Sequence, residues 1–215
     1  MVALQEANLF DQDDILQRVS SELSLPFYVL TQGALYEDNQ RYHVVTFSRY
    51  PIISTHDFPD GNFQSAALSI LLKTETGPIS ICNVHLHSYV EEKRMQELGS
   101  ILKYQSQFQD QIILGDFNAI SRVDEYSSNV TEFELKYDVT DRMNIEHIDL
   151  FAQGTEKPVP SYPTQGISDH SYLESRRLDY MFASLDLGRR LTSAVVDTSN
   201  LAHQASDHFP LIAEL

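Results

Sequence analysis

The residue types that could do chemistry in this chain stand at the ends of apolar runs. "IILGDFNAI" (112–120) sets Asp116 and Asn118 two residues apart, just past an apolar stretch. "VALQEA" places Glu6 after a second such run, and "ISICNVHLHS" ends a third on Asn83, His85 and His87. Asp179 opens the run in "RRLDYMF", and "ASDHFPLIAEL" puts Asp207 and His208 immediately before the last one. Residues two apart on an extended chain point to the same side, so Asp116 and Asn118 are expected to face one point. Carboxylates gathered on loops at one edge of packed sheets make a hard oxygen-donor site suited to Mg²⁺. A histidine beside a carboxylate supplies general acid–base chemistry. Singly, each residue also has a structural reading. Asp116 and Asn118 fit an Asx turn capping its own backbone. Glu6 fits a surface position, His85 a hydrogen-bonded core histidine, and Asp179 an ion pair with Arg177. The combination tells more than its members.

The segments that must position these residues alternate between strand-like and helix-like patterns. Runs at 2–5, 27–31, 43–48, 65–72, 78–85, 111–115, 178–183, 191–197 and 209–214 read as strands. Gly115 is expected to let the backbone turn as it leaves the sheet. A helix is predicted after Asp11 as N-cap, with Ile15, Leu16, Val19 and Leu23 on one face. A second spans 90–109, with Met95, Leu98, Ile101, Leu102 and Phe108 sharing a face. Residues 121–144 are polar without a clear period, and "IEHIDLFAQ" (145–153) reads as one or two helical turns. Strands outnumber helices, which predicts two sheets packed face to face with flanking helices. No repeat or low-complexity linker divides residues 1–215, so a single domain is expected.

Composition bounds the partners. With 15 Lys and Arg against 31 Asp and Glu, the chain carries a formal charge of −16, which counts against a non-specific nucleic-acid coat. Its basic residues occur as pairs such as Lys93-Arg94, Arg176-Arg177 and Arg189-Arg190, not as a stripe. Nothing resembles a membrane span or a signal peptide, and Cys82 is the only cysteine. A reducing, cytoplasmic setting and a monomer without membrane insertion are the expectations.

Six motifs in order carry a family resemblance: L-Q-E (4–6), S-R-Y-P-I (48–52), N-V-H-L (83–86), G-D-F-N (115–118), R-L-D-Y (177–180) and S-D-H-F-P (206–210). In this order the chain resembles the endonuclease/exonuclease/phosphatase superfamily, which includes deoxyribonuclease I, exonuclease III-like repair enzymes, sphingomyelinases and inositol-polyphosphate phosphatases. The resemblance implies an α/β fold, a four-layered α-β-β-α sandwich of two mixed sheets with flanking helices. It implies that Glu6 is the principal ligand of a divalent metal, Mg²⁺ or Mn²⁺, and that Asp207 completes the metal or phosphate network. Asp116 would orient and deprotonate the attacking water, and Asn118 would hold that water or the phosphate. His208 would contact the scissile phosphate, Asp179 would hold His208 in place, and His85 would contact a phosphoryl oxygen or the leaving group. Members of that family begin with an earlier strand ending in Asn. Only five residues precede Glu6 here and none is Asn, so the chain is expected to lack that strand.

A second S-D-H, in "ISDHSYL" (167–173), leads into no apolar run. Asp169 and His170 are therefore read as loop residues. Tyr162, Tyr172, Arg176 and Arg177, in the loop before R-L-D-Y, either read a substrate or are exposed loop residues. The absence of tryptophan disfavours the repair-endonuclease branch. The expected activity is metal-dependent hydrolysis of a phosphate ester by in-line water attack, most of all a phosphodiester. The substrate is left open among nucleic acid, phospholipid and small phosphodiesters or monoesters. A catalytically weak phosphate-binding domain that keeps the site is the alternative from another class.

Overall fold

The computed structural model describes residues 1–35, 41–58, 63, 66–124, 126, 136–153, 158–164 and 175–215. Its largest sheet is built from β4 (Ile52–Asp57), β5 (Ala66–Thr74), β6 (Gly77–His85), β7 (Gln111–Asp116), β8 (His147–Asp149) and β9 (Asp179–Ser184). The order is β4-β5-β6-β7-β9-β8, parallel between β6 and β7 and antiparallel elsewhere. Period-two alternation sends Leu68, Ile70, Ile81, Ile112, Leu114 and Ala183 to one face of this sheet. It sends Ala67, Cys82, Val84, Ile113, Tyr180 and Phe182 to the other.

The first face packs against Ala3 of β1 (Val2–Leu4), Val29 of β2 (Phe27–Thr31) and Val44 of β3 (Val44–Ser48). Ala213, from the pair β10 (Ser193–Val196) and β11 (Leu211–Glu214), joins the same core. The second layer is thus a three-stranded sheet, β1-β3-β2, together with the β10–β11 pair. Its outer face, through Val45 and Phe47, is covered by Leu16 and Val19 of α1 (Ile15–Leu23). The outer face of the large sheet is covered by α2 (Glu91–Gln105), through Leu98 and Ile101, and by α3 (Asp138–Met143), through Val139 and Met143. This is the expected α-β-β-α sandwich. Two short helices, α4 (Leu185–Gly188) and α5 (Ala202–Ala205), lie on connections.

Several local expectations are corrected. β4 was missed because it alternates weakly, with most of its residues exposed at the sheet edge. "IEHIDLFAQ" holds the short strand β8, paired to β9, where helical turns were expected. Asp11 is not a helix cap. α1 starts later, after Asp14, and the Asp11 carboxylate lies 3.3 Å from Nε2 of the buried His43. Leu23, assigned to the buried face of α1, is exposed. Among the described residues no helix is long and apolar enough to cross a membrane.

A buried amide joins the two sheet layers. Asn83 of β6 is fully buried on the inter-sheet face, and its Nδ2 donates to the Leu4 carbonyl at 3.2 Å and the Val45 carbonyl at 3.1 Å. Its Oδ1 accepts from Gln5 Nε2 at 2.6 Å. Asn83, singled out as a candidate for chemistry, is a structural staple.

Candidate functional site

Strand register alone aligns three candidate side chains. His85 at the end of β6 is the cross-strand partner of Asp116 at the end of β7, and Asp116 is the partner of Asp179 at the start of β9. All three are buried. The close spacing of these strands depends on Gly115, which remains within β7 at φ 131°. A Cβ at that position would overlap the Val84 carbonyl. Gly115 is therefore needed for close approach and for its backbone angle; the strand turns only after Asp116.

Asp116 and Asn118 form the Asx turn of the structural reading. Asn118 lies in the left-handed region (φ 47°), and its N–H donates to Asp116 Oδ1 at 2.8 Å, forming the Asx turn. Its side-chain Nδ2 donates to the Leu86 carbonyl at 3.0 Å. The second carboxylate oxygen of Asp116 is 3.6 Å from His85 Nε2, so the turn also aims the acid at the neighbouring strand. The extended geometry expected for Asn118 is replaced by this turn.

Loops from the second layer bring the rest. Glu6, just past β1 and at φ 51°, places Oε1 3.8 Å from His85 Nε2. His208, before β11, has Nδ1 2.7 Å from Asp179 Oδ2. Asp179 is thus joined to His208, not to Arg177. Asp207 is fixed through its carbonyl, which accepts the Thr164 N–H at 2.8 Å. One contributor escaped the sequence reading. Ser161 is fully buried, and its hydroxyl accepts the N–H groups of Leu178 (3.0 Å) and Asp179 (3.1 Å), while its carbonyl accepts the Phe209 N–H at 2.8 Å. It ties the Asp179 and His208 segments together. The ring of Tyr162 lies 4.7 Å from that of His208. A lone serine in a polar loop gives no sequence signal for this role.

The surroundings set the protonation states. Burial pushes the Asp116 carboxyl up to about 7, aided by the charge of Asp179 and opposed by His208. Burial, with His208 adding, holds His85 down near 4, so it is neutral at ordinary pH. Burial also works against the charged form of His208. The charge and hydrogen bond of Asp179 outweigh it, helped by Asp116 and Asp207, and lift His208 to about 10. Partial desolvation raises Glu6 as well, although its side chain is more than half exposed; His208 opposes this and Asp207 and Asp179 reinforce it.

Other candidates fall elsewhere. His87 is a structural residue: its Nδ1 accepts the N–H groups of Tyr89 (3.1 Å) and Val90 (3.2 Å) at the start of α2. Arg176 and Arg177, expected either to read a substrate or to be exposed, are both buried. Arg177 bonds Asp149 at 2.6 Å and Asp124 at 3.1 Å. Asp169, His170 and Tyr172 lie outside the described residues.

Residues 1–208 match the sequence model of the Endonuclease/Exonuclease/phosphatase family. A 3′ phosphatase of Neisseria, solved with a product DNA hairpin, is 14% identical with a TM-score of 0.73, over 99% of this chain and 87% of that one. An AP endonuclease from Archaeoglobus fulgidus is 16% identical with a TM-score of 0.69, over 99% and 87%. A family protein from Leptotrichia buccalis is 19% identical with a TM-score of 0.70, over 99% and 85%. At these identities the likeness is one of fold. No curated protein matches the chain significantly.

Proposed function

We propose that this chain, which belongs to the endonuclease/exonuclease/phosphatase family, hydrolyses phosphodiesters by direct attack of water on phosphorus, aided by a divalent cation. Family membership and the nuclease and phosphatase neighbours support phosphoric ester hydrolysis as the class. The finer reading rests on one observation: His208 is held 2.7 Å from Asp179, whose cross-strand partner is the buried Asp116.

Four carboxylates, Glu6, Asp116, Asp179 and Asp207, act on one another and on a single imidazolium here. That excess repels a phosphate ester, and a bound cation offsets it. The donors fit Mg²⁺ or Mn²⁺. Among the described residues no three His, Cys, Asp or Glu side chains gather into a closed cage. Mg²⁺ rarely needs one, since it binds through one or two carboxylates and keeps water and substrate phosphate as its other ligands. Glu6, whose side chain is 56% exposed, and Asp207 would supply those carboxylates. When bound, the ion would neutralise charge on the phosphate.

The chain's own groups do the rest. Asp116, titrating near neutrality, accepts the proton of the attacking water as the opposite P–O ester bond breaks. Asn118 steadies that carboxylate through its N–H, and its side-chain oxygen would hold the water or the phosphate. His208, kept cationic by Asp179, hydrogen-bonds the phosphoryl oxygen on which charge collects. His85, neutral and facing Glu6 and Asp116, contacts a phosphoryl or departing oxygen. No covalent intermediate forms. The test is hydrolysis of bis-p-nitrophenyl phosphate, expected with Mg²⁺ or Mn²⁺ and abolished by chelator. Undiminished turnover in chelator would refute the cation role. Inactivity with Mg²⁺ on this ester and on DNA, RNA, phospholipid and inositol phosphates would refute the hydrolase.

A further inference from the structure

Glu6 is held on both sides. Gln5 before it bonds Asn83 at 2.6 Å, and Ala7 after it donates its N–H to the His43 carbonyl at 2.9 Å. Between them Glu6 sits at φ 51°, in the left-handed region that a residue with a side chain keeps only where its surroundings impose it. Leu9 (φ 66°) and Asp13 (φ 48°) share that region, so the segment from Glu6 to α1 is a run of tight turns. Local hydrogen bonds, such as that from the Gln12 N–H to the Leu9 carbonyl at 3.0 Å, shape those turns but cannot attach them to the sheet. Ala7 and Phe10 pack under α1 with Val45 and Phe47, a contact that carries no directional bond.

His43 supplies the direction. Besides taking the Ala7 N–H, it places Nε2 3.3 Å from Asp11 Oδ1, farther along the same segment. The ring is buried and held from its other side, where Nδ1 accepts the Gly33 N–H at 3.2 Å. That approach needs Gly33, since a Cβ there would overlap the Tyr42 carbonyl. An Nδ1 that accepts leaves the proton of a neutral imidazole on Nε2, aimed at the Asp11 carboxylate. One residue therefore pins positions 7 and 11, and the loop between these anchors begins directly after Glu6.

We propose, resting on the phosphoesterase reading above, that His43 and Asp11 are positioning residues for the cation ligand. They lock the turn behind Glu6 so that its carboxylate stands opposite His85, 3.8 Å from Nε2. They act through Glu6, not by contact with substrate or cation.

Asp11→Ala is the test, because that side chain is 32% exposed and its removal spares the core. The first readout is Mn²⁺ binding to the substrate-free protein by electron paramagnetic resonance. D11A should weaken it about tenfold, the scale of residues that orient a metal ligand. Asp11→Asn removes the same charge but keeps an acceptor for Nε2–H, so it should retain most of the affinity. His43→Asn keeps an acceptor for Gly33 and withdraws the donor from Asp11, and should resemble D11A. In Glu6→Gln, where the ligand is already lost, adding D11A should cost nothing more. Turnover of bis-p-nitrophenyl phosphate at saturating Mn²⁺ should change little in D11A, whereas mere loss of folded protein would lower kcat and leave the affinity unchanged. The second readout needs no cation: in chelator, the His85 Cε1–H signal, assigned from H85N, should move in D11A toward its position in E6Q. An unmoved signal in D11A, or wild-type Mn²⁺ affinity in D11A where E6Q has lost it, would overturn the positioning role. A moved signal with wild-type Mn²⁺ affinity in E6Q keeps that role and sinks Glu6 as the cation ligand, so the two readings fail separately.

Discussion

Replacing Asp179 by Asn removes a charge from the candidate site while keeping its shape and an acceptor for His208. An ordinary histidine titrates near 6.5, and His208 is lifted to about 10 against the opposing effect of burial. At about 1.36 kcal/mol per pH unit that separation corresponds to a net preference of roughly 5 kcal/mol for the charged ring, with Asp179 the largest favourable contributor and Asp116 and Asp207 adding to it. The His208 side chain retains 26% exposure, so water screens part of this and the figure is a ceiling. In D179N, burial acts against a much weaker field and His208 should titrate near or below about 7. The measurement is the imidazole Cε1–H shift by NMR between pH 5 and 10, in chelator so that no bound cation adds its field, with the His208 signal assigned from H208N. The stability consequence has a definite sign. A folded-state value above the unfolded one stabilises fully below about 6.5, and that contribution is lost as pH rises through about 10. The difference in thermal midpoint between wild type and D179N should therefore shrink from pH 6 to 10. A wild-type His208 titrating near 6.5, or a difference that grows with pH, would refute the reasoning.

His208→Ala should lower kcat on bis-p-nitrophenyl phosphate by about a hundredfold or more, whereas His170→Ala should change it far less; the reverse order would mean that the wrong S-D-H motif was assigned. Arg177→Met strands two carboxylates, with Asp124 7% and Asp149 4% exposed, and should cost about 3–5 kcal/mol. For a chain of this size that is a fall of roughly 6–20 °C in thermal midpoint, and adding D124N and D149N should recover part of it. Gly115→Ala forces a side chain against the Val84 carbonyl at an unfavourable φ, so a loss of about 3 kcal/mol is expected by urea unfolding. Wild-type stability in G115A would show that β6 and β7 can separate freely.

The large sheet and its two core faces were legible because β5, β6, β7 and β9 are long enough for period-two alternation to show. β4 and β8 were not, since an exposed edge strand and a three-residue strand carry too little pattern. At the site, the positions of Asp116 and His85 at strand ends were readable. The pairing of Asp179 with His208, 29 residues apart, came only through family resemblance. Arg177 was misjudged for a related reason. An arginine in a polar loop is ordinarily exposed, and only the fold brings Asp124 and Asp149, 53 and 28 residues away, to surround it. Ser161 shows the limit most plainly, because its role is to accept two backbone N–H groups of a distant segment.

The Asn83 staple has a consequence for how the two layers are aligned. Methyl groups facing methyl groups across two sheets define a separation. Interdigitated side chains resist sliding by shape alone, and a polar contact adds a directional requirement. Asn83 supplies that requirement, because its carboxamide must meet Leu4, Val45 and Gln5 at once. Glu6 follows Gln5 directly, and His85 stands two residues beyond Asn83. The alignment of Glu6 with His85 across the layers is thus set in part by an amide. Asn83 shares this task with Thr31 of β2, whose hydroxyl donates to Asp57 of β4 across the same two layers.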